Sequence, residues 1–275
     1  MQERRPRLEG KVAIVTGAGS SGPGVGTGRA ASVLFAREGA RVLLADLDAA
    51  RAEETLGLIE GEGGEASVFE GDVSRADDCQ AMVEAAGQRY GGLDILFNNV
   101  AVLGSGTVVN VEEQEWDRVM NINLKRMMLT SKYAVPRMSE SGGGSIINVS
   151  SVEAVRSSFG PALPYGSILP YSVSKGGVVT LTTCMAVQHG RDNIRVNCIV
   201  PGFIYTPMVA PHVSEEMRDL RSRAAPLGTE GTAWDVAWAA VFLASDEARW
   251  VSGVVLPVDA GLIATTPLAM LPYLA

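Results

Sequence analysis

Short segments rich in valine, isoleucine and leucine alternate with helix-like patterns along almost the whole chain. Strand-length apolar runs of this kind indicate strands that are buried on both faces. Strands that alternate with helices need right-handed crossovers, which produce a parallel sheet with helices on both faces. We therefore predict an α/β fold, a single-domain, doubly wound parallel sheet. About seven strands are expected, near residues 12–16, 41–45, 66–70, 94–97, 145–149, 194–199 and 253–257.

A glycine-rich loop follows the first predicted strand. The strand ends at Thr16, the residues Gly17-Ala18-Gly19-Ser20 and further glycines come next, and a helix is predicted from residue 27 to about residue 38. Glycines allow close backbone approach to a pyrophosphate, and the helix N-terminus favours its negative charge. The second strand leads into Asp46, at about the distance that a ribose-binding acid requires. This pattern predicts a dinucleotide site in a Rossmann fold.

The segment Tyr171-Ser172-Val173-Ser174-Lys175 indicates acid–base chemistry. Residues four apart share one helix face, so Tyr171 and Lys175 are expected to be neighbours. A phenol has a pKa of about 10, and it serves as a base at neutral pH only if a nearby cation stabilises the phenolate. Lys175 is the candidate for that cation. Taken alone, the same five residues also fit an exposed helix with a chance pair.

Ligands of a doubly wound sheet bind in the crevice beyond the carboxyl ends of the strands. The predicted strands bring the following residues to those ends: Gly17, Asp46, Asp72, Asn98, Ser151 and Pro201. We expect these residues to lie along one edge of the sheet.

From about Leu8 to Leu262 the chain resembles the short-chain dehydrogenase/reductase family. The resemblance depends on several motifs in the order and near the spacing of that family. They are Thr16-Gly17 with Gly26-Thr27-Gly28, Asp72-Val73, Asn98-Asn99-Val100-Ala101, Asn123 within Met120-Asn121-Ile122-Asn123-Leu124, Asn148-Val149-Ser150-Ser151, the Tyr171 to Lys175 segment, Pro201-Gly202, and Val258-Asp259-Ala260-Gly261.

The resemblance implies a catalytic set of four residues. Tyr171 is expected to be the base, and Lys175 to lower the phenol pKa and bind the nicotinamide ribose. Ser151 is expected to hold and polarise the substrate oxygen. Ser150 is its competitor, but the family pattern favours the second serine. Asn123 is expected to hold a water that links Lys175 to solvent.

The choice of cofactor depends mainly on Asp46. A carboxylate there can accept hydrogen bonds from both adenosine ribose hydroxyls, but it repels a 2′-phosphate by about a few kcal/mol at intermediate dielectric. Leu47 and Ser20 bring no positive charge, so NAD is predicted. By resemblance, the remaining cofactor contacts are Gly17, Ser20, Gly26, Thr27, Gly28, Asp72, Val73, Asn98, Tyr171, Lys175, Pro201, Gly202, Ile204 and Thr206.

Two stretches depart from the family pattern. Residues 21–25 lengthen the glycine loop by about five residues, which leaves the phosphate contacts open. Residues 156–170 form a long connection, rich in proline, glycine and apolar residues, that we expect to line the substrate pocket. This connection contains Tyr165 as a rival phenol. The residue four positions after it is Leu169, which cannot serve as a cation.

Composition excludes several classes of function. The net charge of −8 and the pI near 4.9 argue against nucleic acid and against an anionic membrane surface. No apolar run is long enough to span a bilayer. The three cysteines have no metal-ligand spacing, so we expect no metal and a reduced, cytoplasmic protein.

We divide the chain into a solvated N-terminus at 1–7, one domain at 8–262 with a substrate loop at about 204–225, and an apolar tail at 263–275. The tail contains no charged side chain. Exposed apolar surface usually marks a contact site. We therefore expect a homotetramer, or a dimer, in which the tail lies against a neighbouring subunit. The alternative is that the tail folds back on its own subunit.

We expect the substrate pocket to be lined by a mainly apolar set that fits a cyclic or aliphatic secondary alcohol: Leu103, Val152, Glu153, Ala154, the connection 156–170, Tyr205, Met208 and the segment up to about Arg223. The favoured function is an NAD-dependent oxidoreductase that interconverts a secondary alcohol and a ketone. One alternative is an NADPH-dependent ketone or 3-oxoacyl thioester reductase, and another is a nucleotide-sensing scaffold that has lost the chemistry. The four catalytic residues argue against the scaffold.

Overall fold

A computed structural model of the protein describes residues 5–158 and 166–274. Its main element is a seven-stranded parallel sheet with the order β3-β2-β1-β4-β5-β6-β9. These strands are β1 (Val12–Thr16), β2 (Arg41–Asp46), β3 (Ala66–Glu70), β4 (Ile95–Asn98), β5 (Gly144–Val149), β6 (Ile194–Pro201) and β9 (Val255–Val258). The predicted α/β, doubly wound Rossmann fold is confirmed. The boundaries of β1 and β3 are the predicted ones, and those of the other five strands differ by one or two residues.

A second, two-stranded sheet was not predicted from the sequence. It pairs β7 (Ile204–Tyr205) with β8 (Gly231–Thr232). Both strands have only two residues, too few to show an alternating pattern. This small sheet ties the start of the predicted substrate loop to the chain just after that loop ends.

Nine helices are described within residues 5–158 and 166–274. They are α1 (Thr27–Arg37), α2 (Ala49–Gly61), α3 (Ala76–Tyr90), α4 (Glu113–Met120), α5 (Arg126–Glu140), α6 (Leu169–His189), α7 (Glu215–Ala224), α8 (Ala233–Ala244) and α9 (Pro267–Leu274). One turn of π-helix, Asn121–Lys125, joins α4 to α5.

The helices cover the sheet on both faces, as a parallel sheet requires. Helices α1, α2 and α8 pack on one face, where the rings of Phe35 and Phe97 meet edge to face at 6.0 Å. Helices α3, α5 and α6 pack on the other face. All five residues of β1 are buried, which explains its unbroken apolar run. The strand order reverses between β1 and β4, so a crevice opens there at the carboxyl ends.

The C-terminal helix α9 packs against α7 of the same chain. Met270 is buried, and the Arg223 Nη1 donates a hydrogen bond to the Tyr273 carbonyl oxygen at 3.3 Å. The other face of α9 exposes Leu268, Leu271 and Tyr273 at 77%, 57% and 62%. Part of the apolar tail therefore folds back on its own subunit, and part remains uncovered.

Candidate active site

A crevice of about 600 Å³ lies beyond the carboxyl ends of β1, β2 and β4. Nine of the residues predicted to bind cofactor line it: Gly17, Ser20, Gly26, Thr27, Gly28, Asp46, Asp72, Val73 and Thr206. Asn98 does not. Its amide donates to the Asn148 Oδ1 at 2.9 Å and accepts from the Thr130 Oγ1 at 2.7 Å, whereas the next residue, Asn99, lines the crevice.

Two glycines keep the floor of the crevice open for a phosphate group. Gly17 has a φ of +65°, and a Cβ added there would lie 2.8 Å from the Val100 Cγ2. A Cβ added to Gly28 would lie 1.9 Å from the Gly17 carbonyl oxygen. Neither position has room for a side chain. The backbone at the start of α1 is therefore accessible to a pyrophosphate, and the crevice fits a dinucleotide.

The added loop residues 21–25 reach across the mouth of the crevice. Ser20 donates through its hydroxyl to the Gly22 carbonyl at 3.0 Å. A Cβ added at Gly22 or at Gly24 would lie 3.6 Å from the Pro207 ring, which belongs to the segment after β7. The loop and the segment that leads to the substrate cavity thus lie close together.

Asp46 lies at the end of β2, in the crevice wall. Its carboxylate accepts hydrogen bonds from the Gly19 N–H at 2.9 Å and the Asp48 N–H at 3.1 Å. Arg51, on the first turns of α2, also lines the crevice and forms an ion pair with Asp48 at 3.0 Å. The sequence analysis did not predict Arg51. Its position five residues after Asp46, on a helix that begins at the same crevice, is the signal that could have indicated it.

A second cation, Arg126, lies in the crevice beside Asp72 and was also missed. Arg126 is 4% exposed, and its guanidinium donates to the Val100 carbonyl oxygen. Burial lowers the pKa of Arg126 to about 10, although the negative charge of Asp72 tends to raise it. Burial tends to raise the pKa of Asp72, but hydrogen bonds from Ser74 and the charge of Arg126 outweigh it and lower that pKa. A signal exists in the sequence: Arg126 is three residues after Asn123 and four before Thr130, on the buried face of the helix.

The four predicted catalytic residues are all buried and lie around the start of α6. Tyr171 is 8% exposed, Lys175 1%, Ser151 9% and Asn123 0%. The Lys175 Nζ donates to the Val149 carbonyl oxygen at 2.8 Å and lies 5.6 Å from the centre of the Tyr171 ring. The interpretation of an exposed helix with a chance pair is therefore wrong.

Ser150 and Ser151 have different surroundings. The Ser150 hydroxyl donates to the Lys175 carbonyl oxygen at 2.8 Å, within the core. The Ser151 Oγ accepts a hydrogen bond from the Glu153 N–H at 3.2 Å, and its side chain hydrogen-bonds to Tyr171. Only Ser151 of the two lines the neighbouring substrate cavity in the described part of the chain.

Asn123 belongs to the π-helical turn between α4 and α5, and such turns are frequent at functional sites. Its amide accepts from the Val102 N–H at 2.8 Å and donates to the Val102 carbonyl at 3.0 Å and the Ser174 Oγ at 3.0 Å. The structure thus connects Asn123 to the residue before Lys175.

Burial dominates the electrostatics of the tyrosine and the lysine. It raises the pKa of Tyr171 to about 12, although the hydrogen bond with Ser151 opposes this, and the charge of Glu153 adds to it. Burial also lowers the pKa of Lys175 to about 7, and the positive charge of Arg126 lowers it further. The sequence predicted that Lys175 lowers the phenol pKa. Burial raises the pKa of Tyr171 in this structure, and the lowering by Lys175 stays a prediction.

A smaller cavity of about 160 Å³ adjoins Ser151 and Tyr171. Most of its wall is apolar, and the residues that form it include Leu103, Val152, Ile168, Phe203, Met208 and Val209. Glu153, His212 and Arg221 are the ionisable groups among its described lining residues apart from Tyr171. Of the predicted pocket residues, Leu103, Val152, Glu153 and Met208 line it, but Tyr205 does not. Tyr165 lies outside the described residues.

Helix α7, which borders this cavity, forms ion pairs with Glu230 through two arginines. The Arg218 Nε donates to the Glu230 carboxylate at 2.8 Å, and the Arg221 Nη1 lies 3.3 Å from it. The Arg218 guanidinium also stacks 3.7 Å from the centre of the Tyr205 ring. Charge and stacking therefore hold the predicted substrate loop against β7 and β8.

A sequence profile described as enoyl-(acyl carrier protein) reductase matches residues 23–263 of this chain. This chain belongs to the short-chain dehydrogenase/reductase family. It is 37% identical to a 3-oxoacyl-(acyl-carrier-protein) reductase of Thermotoga maritima over 257 residues, which covers 94% of this chain and 99% of that protein. It is 35% identical to a 7alpha-hydroxysteroid dehydrogenase of Clostridium sardiniense over 268 residues, covering 95% of this chain and 96% of the relative.

The crystal structure of a short-chain dehydrogenase/reductase from Burkholderia xenovorans matches the fold with a TM-score of 0.88 at 38% identity. The match covers 95% of this chain and 99% of that one. Short-chain dehydrogenase/reductases are oxidoreductases that use a nicotinamide cofactor, and the crevice between the glycine loop and Thr206 fits such a molecule. No helix within residues 5–158 and 166–274 is long and apolar enough to cross a membrane.

Proposed function

We propose that this short-chain dehydrogenase/reductase is an NAD-dependent enzyme that interconverts a secondary alcohol and a ketone. The observation that supports this most directly is the position of Ser151 and Tyr171. Both line the smaller cavity, and the residues Leu103, Met208 and His212 border both that cavity and the crevice. A substrate oxygen at the two hydroxyls would therefore place its carbon next to the crevice.

In this proposal Ser151 and Tyr171 hold the substrate oxygen by hydrogen bonds. The bound nicotinamide accepts or supplies the hydride. In the reductive direction, the protonated Tyr171 donates its hydroxyl proton to the ketone oxygen. In the oxidative direction, the Tyr171 oxygen takes the alcohol proton, and nearby positive charge favours the phenolate it needs. Lys175 supplies that charge when protonated, and its pKa of about 7 makes its charge sensitive to pH near neutrality.

Asn123 helps to position Tyr171 and Lys175 through a contact with α6, the helix that carries them. Its amide donates to the Ser174 hydroxyl at 3.0 Å, and Ser174 precedes Lys175 on α6. We propose that the π-helical turn fixes α6 in register and that a proton leaves Tyr171 toward Lys175 and Asn123.

NAD is the proposed cofactor because Asp46 lies in the crevice wall, where a carboxylate would bind ribose hydroxyls and repel a 2′-phosphate. The phosphates would lie over Gly17, Ser20 and the turn Gly26–Gly28. Asp72 and Val73 would face the adenine, and Asn98 would support the adenosine side without lining the crevice. The nicotinamide end would contact Pro201, Gly202, Ile204 and Thr206.

The second candidate is an NADPH-dependent ketone or 3-oxoacyl thioester reductase. Arg51 favours it, because its side chain lines the crevice close to Asp46 and a guanidinium pairs well with a phosphate. The name of the Thermotoga maritima relative points in the same direction. The ion pair of Arg51 with Asp48 at 3.0 Å and the carboxylate of Asp46 argue against it.

The test is a panel of secondary alcohols with NAD and with NADP, and of ketones and 3-oxoacyl thioesters with the reduced cofactors. The absorbance of the reduced nicotinamide reports the reaction. Activity of alcohols with NAD supports the first candidate, and activity confined to thioesters with NADPH supports the second. Tyr171→Phe is the inactive control in every arm.

We further propose a cytoplasmic homotetramer, or a dimer. Cys79, Cys184 and Cys198 are free thiols, which suits a reducing compartment. The exposed face of α9, with Leu268 and Leu271, leaves apolar surface in solvent, and closed two-fold assemblies commonly cover such faces.

A further inference from the structure

Glu153 is a buried carboxylic acid in the wall of the substrate cavity. It is 6% exposed and belongs to the short 3-10 turn Val152–Ala154 directly after Ser151. Its backbone N–H donates to the Ser151 Oγ, and its side chain lines the same cavity as Ser151 and Tyr171. A substrate held by those two hydroxyls therefore presents its neighbouring atoms to Glu153.

The carboxyl of Glu153 has acceptor capacity left on the cavity side. In the part of the chain that the structure describes, its hydrogen bonds come from Ser158, whose N–H lies 3.2 and 3.1 Å from the two carboxyl oxygens and whose side chain also forms a hydrogen bond to the carboxyl. A carboxylate offers about four acceptor positions. Burial raises the pKa of Glu153, and the hydrogen bonds from Ser158 oppose that rise.

The apolar residues of the cavity wall indicate which kind of substrate group would donate a hydrogen bond to the Glu153 carboxyl. A purely apolar substrate would fit Leu103, Ile168 and Phe203, but it would seal the Glu153 carboxyl from water without a new partner. Such desolvation of a polar group is unfavourable unless a hydrogen bond replaces the lost water. A hydroxyl group on the substrate supplies that hydrogen bond.

The size of the cavity limits the substrate. Its volume of about 160 Å³ is close to that of an apolar cavity of about 150 Å³ that holds a benzene ring. A six-membered ring, or a chain of similar bulk, matches this space.

We propose that Glu153 determines specificity by accepting a hydrogen bond from a second hydroxyl, on the carbon next to the reacting carbinol. The preferred substrates are then ring-sized vicinal diols and the matching α-hydroxyketones. This inference rests on the proposed function. In the oxidation, the C–H bond of one carbinol breaks and its hydride would pass to the oxidised nicotinamide, while the O–H proton of the same carbinol passes to the phenolate oxygen of deprotonated Tyr171. The second hydroxyl stays unchanged.

The test compares cyclohexanol with cis- and trans-1,2-cyclohexanediol and with 2-aminocyclohexanol, using the full-length protein with NAD and with NADP. Hydrogen bonds to charged groups account for roughly 10- to 150-fold in affinity. We expect the better diol to exceed cyclohexanol in kcat/KM by a factor in that range. Glu153→Leu should abolish the preference, and Glu153→Gln, which keeps an acceptor oxygen, should retain part of it. Glu113→Gln, at an exposed site on α4, is the control and should leave the ratio unchanged.

Equal kcat/KM for cyclohexanol and both diols in the unmodified protein would overturn the inference. So would an unchanged diol preference in folded Glu153→Leu, or a preference for the amino alcohol, which would indicate a cation site. If Glu153→Leu does not fold, the ratio of kcat/KM for diol and cyclohexanol in the unmodified protein and in Glu153→Gln tests the inference. Oxidation of cyclohexanol without diol preference refutes this inference alone, whereas no turnover of any probe with either cofactor refutes the proposed function with it.

Discussion

The Nζ atom of Lys175 lies 5.6 Å from the centre of the Tyr171 ring, and it donates its hydrogen bond to the Val149 carbonyl oxygen. The ammonium is thus held by the backbone at the end of β5, close to the ring. When Lys175 is protonated, its charge therefore lies at a fixed position beside the phenol ring.

Tyr171→Phe should reduce kcat by roughly 10²- to 10⁴-fold, the range for loss of a positioned acid or base. The Kd for nucleotide should stay nearly unchanged, because the crevice walls are untouched. Steady-state kinetics and a nucleotide titration measure the two effects. Tyr165→Phe, at the rival phenol, should change KM instead. An exchange of these behaviours between the two variants would disprove the assignment of the base.

Ser151→Ala should move to higher pH the ascending limb of the kcat/KM profile for alcohol oxidation, along which activity rises as Tyr171 loses its proton. The hydrogen bond with Ser151 lowers the pKa of Tyr171, so its loss raises that pKa further. The matched control is Ser150→Ala, which removes a hydrogen bond to the Lys175 carbonyl and should reduce stability by about 1 kcal/mol without moving the limb. A profile displaced by Ser150→Ala alone would contradict the assignment.

Lys175→Met should stabilise the fold most at low pH. The pKa of Lys175 falls from 10.5 to about 7 in the folded protein, so between those values the unfolded chain binds a proton that the folded chain does not. Stability therefore rises with pH across that window, and the full penalty, on the order of a few kcal/mol, applies below about pH 7. Denaturant unfolding of both proteins at pH 6, 8 and 9.5 measures the difference. A gain that stays constant over this range would show that Lys175 titrates normally.

The unmodified enzyme should favour NAD over NADP by well over tenfold in kcat/KM, because the Asp46 carboxylate repels a 2′-phosphate. Asp46→Ala should narrow this ratio, and some stability should be lost with the hydrogen bond to the Gly19 N–H. Glu53→Gln, at an exposed site on α2, is the control for the loss of a nearby charge. Equal use of the two cofactors by the unmodified enzyme would refute the assignment of NAD.

A chain that ends at Leu262 should show a smaller mass in light scattering than the full chain, if the exposed face of α9 forms a contact between subunits. The truncation also removes the contact of α9 with α7, so a change in KM is expected as well. The double variant Leu271→Ser, Tyr273→Ser alters only exposed positions. It therefore tests the contact between subunits without removing the contact of α9 with α7. An unchanged mass for both proteins, or a monomeric full chain, would refute the assembly role.

The sequence predicted the fold well because inner strands such as β1 and β2 are almost entirely buried and carry apolar runs. It also brought Gly17, Asp46 and Ser151 to one edge of the sheet, because parallel strands end together there. The family resemblance supplied their roles. These features depend on local pattern and on topology, both of which can be interpreted without coordinates.

Other features depend on how helices pack, and the sequence could not supply them. Arg126 lies in the crevice because α5 packs with that face on the sheet; its spacing from Asn123 and Thr130 indicates the buried face but not the crevice. Asn98 ends a strand whose four residues are all buried, so alternation did not indicate which side its amide faces. The rise in the pKa of Tyr171 depends first on its burial, which the sequence alone does not reveal.

The glycine loop and Pro207 lie close together beside the crevice, so that a Cβ at residue 22 or 24 would touch the proline ring. The residue after Pro207, Met208, lines both the crevice and the substrate cavity. A nucleotide that arrived after the substrate would have to pass both segments. We therefore expect the nicotinamide cofactor to enter before the substrate and to leave after the product.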